Sequence, residues 1–87
     1  MFISIRYRPE FVRLFDRLEY MLQEEVLEKI ELFKDRNNHK SLKVHKLHGR
    51  LRNRYSFSVN FKFRVIFVYM DKTTVALLSV GDHDIYK

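Results

Sequence analysis

The sequence contains no cysteine, one proline and two glycines. Without cysteine the fold can use neither disulfide bonds nor a zinc–thiolate centre, which fits a reducing compartment. The two glycines, Gly49 and Gly81, are too far apart to form a glycine-rich phosphate-binding loop. No apolar run approaches the roughly 20 residues of a membrane span, and charge begins at Arg6, too early for a secretory signal. We therefore expect a cytoplasmic protein with no membrane partner.

The length and composition indicate one small folded domain. The chain has 87 residues, of which 46% are hydrophobic and 15% aromatic. This is enough for a single core, so we assign residues 1–87 to one domain. A large active site with many parts is not expected at this size.

Positive charge is concentrated in the middle of the sequence. Residues 37–72 contain nine Lys or Arg residues and one acidic residue, whereas residues 1–36 and 73–87 are each slightly acidic. A field of one sign in one segment attracts polyanions through counterion release, so nucleic acid or an acidic protein is the expected partner. The alternative is a basic surface that is merely solvated.

The first part of the chain predicts a strand and two helices. Residues 2–7 are rich in strand formers, and Pro9 then marks a helix start, because proline at the first helical position loses no needed hydrogen bond. Apolar residues continue at helical spacing to about residue 35. One helix of that length would be roughly 39 Å long, so we expect a break near residues 20–23. The glutamates within residues 24–31 are interpreted as a solvated face rather than as catalytic carboxylates.

The second part predicts an antiparallel meander of three strands. Residues 37–49 are interpreted as a polar break and a basic loop. Apolar side chains, mostly aromatic, then occupy every odd position from 55 to 69, which is too long for one strand. A three-residue loop at residues 60–62 keeps these side chains on one face and pairs Phe57 with Val65.

The next turn is predicted as a two-residue connection, Asp71-Lys72, which pairs Val68 with Val75. The same register pairs Ile66 with Leu77 and Arg64 with Ser79. The face away from the aromatic core then shows Ser56, Ser58, Arg64 and Ser79 at one end and Ile66, Val68, Val75 and Leu77 at the other. This pattern is typical of a site beside a patch that another chain or the protein's own tail covers, provided that the helices pack on one face only.

The predicted α+β order, β-α-α-β-β-β, resembles the RelE/ParE superfamily, the toxins of type II toxin-antitoxin pairs. The resemblance spans nearly the whole chain and is carried by Leu47-His48-Gly49, Tyr55-Ser56-Phe57-Ser58-Val59, Phe63-Arg64-Val65-Ile66-Phe67 and Gly81-Asp82-His83-Asp84-Ile85-Tyr86. It implies an endoribonuclease that cuts mRNA in the ribosomal A site, contacts ribosomal RNA and is neutralised by a cognate antitoxin. No metal and no small-molecule cofactor is implied.

RelE-like members of this superfamily place an arginine on the middle strand of the meander, where it contacts the scissile phosphate. Arg64 holds that place here, and Tyr86 matches their tyrosine near the C-terminus. Those members also carry lysines on the preceding strand. Ser56 and Ser58 replace them in this sequence, so the charged acid–base set of RelE is missing.

The YafQ-like branch uses histidines instead, and His45 and His83 match two of their positions. Its strand His and Asp have no counterpart, because Ser58 and Lys62 stand there. By this resemblance His45 and His83 are the proton-transfer residues of 2′-hydroxyl attack, a role that suits histidine because its unperturbed pKa is about 6.5. Which of them is acid and which is base stays open at this point. The predicted RNA-binding cations are Lys43, Lys46, Arg50, Arg52, Arg54 and Lys62.

Other functions remain possible from the sequence. ParE-like inhibitors of DNA gyrase share the scaffold but not the His-Tyr ending, and an inactive relative would bind RNA or protein without cleaving either. A metal site built from His45, His48, Asp82, His83 and Asp84 is weakly supported, because one His-x-x-His pair on a loop is not specific.

Overall fold

The computed structural model describes residues 2–82, which form two helices and one mixed sheet. The elements are β1 (Ser4–Tyr7), α1 (Pro9–Asp16), α2 (Tyr20–Phe33), β2 (His45–Lys46), β3 (Tyr55–Ser58), β4 (Arg64–Tyr69) and β5 (Thr74–Gly81). The strand order is β1-β5-β4-β3-β2, with β1 parallel to β5 and all other neighbours antiparallel. The predicted α+β class and the meander are confirmed. The structure adds β2, which the sequence analysis interpreted as loop.

The break between the helices lies at residues 17–19, so the predicted position at residues 20–23 is wrong. No glycine or proline stands in this segment. Instead, the Glu19 carboxylate accepts a hydrogen bond from the backbone N–H of Leu22 at 2.8 Å and caps α2. An acidic cap therefore starts the second helix two residues after the C-cap of the first, Arg17. In the described part of the chain, neither helix is long and apolar enough to cross a membrane.

Both helices pack on the same face of the sheet. Phe33 of α2 stacks on Phe57 with ring centroids 4.5 Å apart and meets Phe67 edge-on at 4.8 Å. The buried cluster on this side, called here the helix-side core, contains Ile3, Phe11, Val26, Ile30, Phe33, Leu42, Phe57, Val59, Val65, Phe67, Val75, Leu77 and Val80. The opposite side of the sheet, called here the second face, carries the even-numbered residues of β3 and β4.

The β3–β4 hairpin has the predicted register and loop. Phe57 lies opposite Val65, and the backbone N–H of Val59 donates to the carbonyl of Phe63 at 2.9 Å. The side-chain oxygen of Asn60 accepts from the backbone N–H groups of residues 62 and 63, both at 2.8 Å. This Asx turn makes the loop compact and fixes its conformation.

The predicted register between β4 and β5 is wrong by one residue near the turn and by two residues at Arg64, which pairs with Gly81 and not with Ser79. Tyr69 pairs with Val75 and Phe67 pairs with Leu77. Because facing residues share a side of the sheet, Val75 and Leu77 belong to the helix-side core and not to the second face. Ala76, which pairs with Val68, lies on the second face instead of these two residues.

The β4–β5 turn is wider than the predicted two residues. The backbone N–H of Met70 donates to the carbonyl of Thr74 at 2.8 Å. Within this turn the Asp71 carboxylate accepts from the backbone N–H of Thr73 at 2.8 Å, and this hydrogen bond lowers the pKa of Asp71.

An extra residue interrupts β5. The ladder steps from Leu77 to Ser79 between two adjacent residues of β4, which makes Leu78 a β-bulge. The bulge shifts the alternation by one, so Ser79 lies on the second face as predicted, while Val80 returns to the helix-side core.

Candidate functional site

A row of side chains crosses the second face from β2 to β5. His45 pairs with Ser56, Ser56 with Ile66, and Ile66 with Ser79. Directly opposed residues in neighbouring strands share a face, so the exposed His45 lies on the same side of the sheet as the two serines. The short strand β2 is what places a predicted catalytic histidine on this face.

Arg64 lies in the adjacent row, between Ser58 on β3 and Gly81 on β5. Its Nη1 donates to the Ser58 hydroxyl, which is its hydrogen-bond partner among the described residues. Both side chains are half-buried. The Ser58 hydroxyl holds the Arg64 guanidinium in one orientation. The guanidinium is always charged, and its paired N–H donors match the geometry of phosphate oxygens. Pairing with Gly81 in place of the predicted Ser79 brings the last described residues, Gly81 and Asp82, alongside Arg64.

The ring of His45 is oriented by the backbone. Its Nδ1 lies 2.8 Å from the carbonyl oxygen of Lys43. A carbonyl oxygen can only accept a hydrogen bond, so Nδ1 is the donor in this contact. In the neutral ring the lone pair is then on Nε2, and this nitrogen is available to accept a proton.

A groove of about 480 Å³ lies beside Arg64, where the β3–β4 loop meets α2 and the segment before β2. We call it the cationic groove. Its lining residues are Lys29, Ser41, Leu42, Lys43, Ser58, Val59, Asn60, Phe61 and Arg64. Three of these are cations, and no carboxylate from residues 2–82 lines the groove. A concave surface with charge of one sign concentrates ligands of the opposite sign.

Lys43 has an uncommon backbone conformation at the wall of this groove. Its φ of 56° lies in the left-handed region, which costs a residue with a Cβ about 1–2 kcal/mol. Residues held in such conformations are concentrated at functional sites. Glycine would adopt this conformation at lower cost, so the presence of lysine here suggests that its side chain has a function.

The five other predicted RNA-binding cations lie outside the cationic groove. Lys46 pairs with Tyr55, whose ring packs against the helix-side core, so Lys46 and His45 point to opposite faces. The Nζ of Lys62 lies 5.8 Å from the ring centroid of Phe63. Three further arginines are exposed: Arg50 lies within the short 3-10 helix Gly49–Leu51, and Arg52 and Arg54 follow it. Of the predicted site residues that lie within residues 2–82, the groove brings together Lys43 and Arg64.

Lys29 and Phe61 line the groove but were not singled out as site residues by the sequence analysis. Lys29 projects from α2 into the lining of the groove. It is the one basic residue of that helix, and this isolated charge was the only feature of the sequence that could have pointed to it. Its Nζ also lies 3.0 Å from a carboxylate oxygen of Glu28. Phe61, treated as a turn residue, is 97% exposed at the groove.

His83 and Tyr86 lie outside the described residues, so their catalytic roles stay predictions. Within residues 2–82, no three His, Asp or Glu side chains are grouped so that they could hold a metal ion. His39 has a structural role, since its Nε2 donates to the Phe33 carbonyl at 2.7 Å and its ring stacks on Phe33.

Comparison with known proteins identifies the fold. No protein-family model and no curated protein sequence matches the chain. The RelBE2 toxin-antitoxin complex from Mycobacterium tuberculosis is similar over 95% of this chain and 93% of that chain, with a TM-score of 0.78 and 19% identity. The archaeal RelE-RelB complex from Pyrococcus horikoshii has a TM-score of 0.70 at 17% identity, over 94% and 96% of the two chains. YafQ from E. coli has a TM-score of 0.70 at 14% identity, over 97% of each. The RelE-like fold predicted from the resemblance is confirmed.

Proposed function

We propose that this chain, which has the RelE-like toxin fold, is the toxin of a type II toxin-antitoxin pair and cleaves mRNA in the ribosomal A site. The observation that carries the proposal is the setting of Arg64. Its guanidinium is held by Ser58 on the second face and lines a groove whose other cations are Lys29 and Lys43. Similar folds occur in complexes with an antitoxin, which supports a cognate antitoxin as the protein partner.

The proposed reaction is attack of the 2′-oxygen on the adjacent phosphorus, with breakage of the bond to the 5′-oxygen. A base removes the 2′-hydroxyl proton, and an acid protonates the departing 5′-oxygen. The hydrogen bond from Nδ1 to the Lys43 carbonyl supports His45 as the base, because it leaves Nε2 able to accept a proton. His83 is then the acid.

Arg64 stabilises the transition state in this proposal. Its remaining N–H groups donate to the non-bridging phosphate oxygens, where negative charge increases as the fifth bond to phosphorus forms. Tyr86 stacks on a neighbouring base or hydrogen-bonds near the 2′-oxygen. No metal or other cofactor takes part.

The cations around the site hold the RNA strand and the ribosome. Lys43 and Lys29 draw the mRNA backbone into the cationic groove. The exposed cations outside the groove are assigned to further RNA contacts, including ribosomal RNA, and are Lys46, Arg50, Arg52, Arg54 and Lys62. A cytoplasmic location, where translation takes place, is part of the same proposal.

The test is cleavage of an mRNA translated by purified ribosomes. Wild-type protein is expected to produce cut ends within the ribosome-bound codons, and His45→Ala and His83→Ala are each expected to lose this cleavage. His48→Ala is the matched control, because His48 is also exposed but does not belong to either row of the second face. Circular dichroism establishes that each variant is folded. Full cleavage by both His45→Ala and His83→Ala would exclude the proposed proton transfer.

The same experiment separates the other functions. RNA affinity without cut ends, even on ribosomes, would indicate an inactive binding relative. Intact translation combined with DNA-damage signalling after induction would indicate gyrase inhibition.

A further inference from the structure

We propose that Phe61 is a base-stacking residue, and that its ring and the cationic groove together bind one unpaired nucleotide of a single strand. The base lies on the ring and the phosphate lies in the groove. This inference rests on the proposed function for its ligand class, and it adds to that site a base-stacking residue that belongs to neither the predicted catalytic set nor the predicted RNA-binding set.

The exposure of Phe61 separates it from the other phenylalanines of the sheet. Its side chain is 97% exposed, whereas Phe57 and Phe67 on the flanking strands are fully buried. The alternation of β3 and β4 directs Val59 into the core, and the turn then places Phe61 outside it. A phenylalanine kept in water forgoes the stabilisation that burial of its ring would provide. Its ring is therefore free to contact a ligand.

The loop that carries Phe61 is held on two sides. The side-chain oxygen of Asn60 accepts from the backbone N–H groups of Lys62 and Phe63. The Nδ2 of Asn60 donates to a carboxylate oxygen of Glu25 on α2 at 2.7 Å. The tip of the hairpin is thus fixed to the helix, and a ligand that stacks on Phe61 orders little additional backbone.

The charges next to the ring favour a nucleotide as its ligand. Lys29, Lys43 and Arg64 line the same groove as Phe61, together with the hydroxyl groups of Ser41 and Ser58. Proteins that bind single strands combine a cationic groove for the backbone with aromatic rings for the bases.

The apolar lining residues argue against a hydrophobic protein anchor in this groove. Leu42 and Val59 are buried, at 4% and 1% exposure, so Phe61 is the one exposed apolar side chain that the described part of the groove presents. Protein interfaces place their anchors among other apolar groups, and this groove instead surrounds the ring with cations and hydroxyls.

A single tryptophan tests the stacking directly. The chain contains no tryptophan, so Phe61→Trp introduces the sole indole. The probe is a single-stranded DNA oligonucleotide, which lacks the 2′-hydroxyl and is not cleaved by the proposed reaction. Binding is expected to quench the fluorescence of Phe61→Trp. The matched control is Met70→Trp in the β4–β5 turn, where the native side chain is 59% exposed and quenching is not expected.

Affinity measurements complete the test. Phe61→Ala is expected to bind the oligonucleotide roughly 5- to 100-fold more weakly, whereas Phe61→Tyr keeps the ring and the affinity. Polyphosphate, an anion without bases, is expected to bind without quenching. Unchanged affinity of Phe61→Ala, no binding by the wild type, equal quenching at both tryptophan positions, or quenching by polyphosphate would each overturn the inference.

These outcomes are independent of catalysis. Quenching by the oligonucleotide without cleavage of translated mRNA would overturn the proposed ribonuclease and leave the subsite standing. Cleavage by the wild type with unchanged affinity in Phe61→Ala would overturn the subsite and leave the proposed ribonuclease standing.

Discussion

Two grooves of opposite charge meet at Asn60. The cationic groove lies on one side of this residue. On the other side a groove of about 570 Å³ follows α2, and its lining residues are Glu19, Met21, Leu22, Glu24, Glu25, Glu28 and Asn60. We call it the acidic groove. Asn60 belongs to both, because its amide group donates to Glu25 while its oxygen holds the loop that presents Phe61.

The contrast shows how the fold uses the uneven charge of the sequence. The basic block at residues 37–72 and the acidic residues of α2 meet at the tip of the β3–β4 hairpin. A polyanion is attracted into one groove and repelled from the other, so under the proposed function this contrast helps to orient the RNA strand relative to Arg64. The glutamates, interpreted from the sequence as a solvated face, define the boundary of the proposed RNA surface.

The largest expected effect is on cleavage in Arg64→Ala. Loss of the guanidinium removes donors from the transition state, so the cleavage rate is expected to fall roughly 100- to 1,000-fold. Arg64→Lys keeps the charge but not the paired donors and is expected to lie between Ala and wild type. Glu24→Ala in the acidic groove is the matched control and should cleave normally. The comparison fails if Arg64→Ala and Glu24→Ala behave alike in the ribosome assay.

Charge reversal in the cationic groove is expected to have the next largest effect. Lys43→Glu removes a phosphate contact, so the slope of log affinity against log salt for single-stranded RNA should become shallower by about 0.7. Lys72→Glu changes the net charge equally but lies in the exposed β4–β5 turn. Fluorescence anisotropy over a salt series measures both slopes. An equal change in the two variants would show that net charge, and not the groove, governs binding.

Removal of the residue shared by the two grooves should affect stability. Asn60→Ala loses the bond to Glu25 and the two bonds that close the loop. The free energy of unfolding is expected to fall by about 1–2 kcal/mol, because each hydrogen bond contributes a modest net amount. Urea denaturation measures this change. Glu25→Ala, which breaks only the link to α2, should cost less, and a larger loss in Glu25→Ala would contradict the assignment.

The smallest expected effect concerns the backbone of Lys43. Glycine adopts a φ of 56° without the Cβ penalty, so Lys43→Gly should be more stable than Lys43→Ala by about 1 kcal/mol in urea denaturation. Both variants remove the cation and should bind RNA equally weakly. If Lys43→Ala is the more stable of the two, the strain assigned to this position is absent.

The sequence was sufficient for the fold class and for the β3–β4 hairpin, because only a loop with an odd number of residues keeps the alternating aromatic side chains on one face. It was insufficient for β5. Residues 75–78 are all apolar, so either register buries hydrophobic side chains and alternation cannot decide between them. The strand β2 was missed for a related reason, since two residues have no pattern and pair only because β3 lies next to them.

The candidate site was predictable only in part. Arg64 and Lys43 are both among the predicted RNA-binding or catalytic residues, and the structure places both at one groove. Lys29 is the one basic residue of a helix whose other charged residues are glutamates, and Phe61 is one aromatic residue among many. Both join the site through tertiary contacts between α2 and the hairpin, which no local pattern encodes.

The bulge at Leu78 has a consequence for how this chain tolerates insertions and deletions. Leu77 and Val80 are three positions apart, yet both lie in the core, because Leu78 is the supernumerary member of the strand. Loss of Leu78 by itself would leave Ser79 and Gly81 on their present side of the sheet and give an uninterrupted ladder. If Ser79 or Val80 were deleted instead, Leu78 would have to leave the bulge and take a paired position in the ladder. Deletion of this one residue therefore leaves unchanged the face of the sheet on which Gly81 lies opposite Arg64.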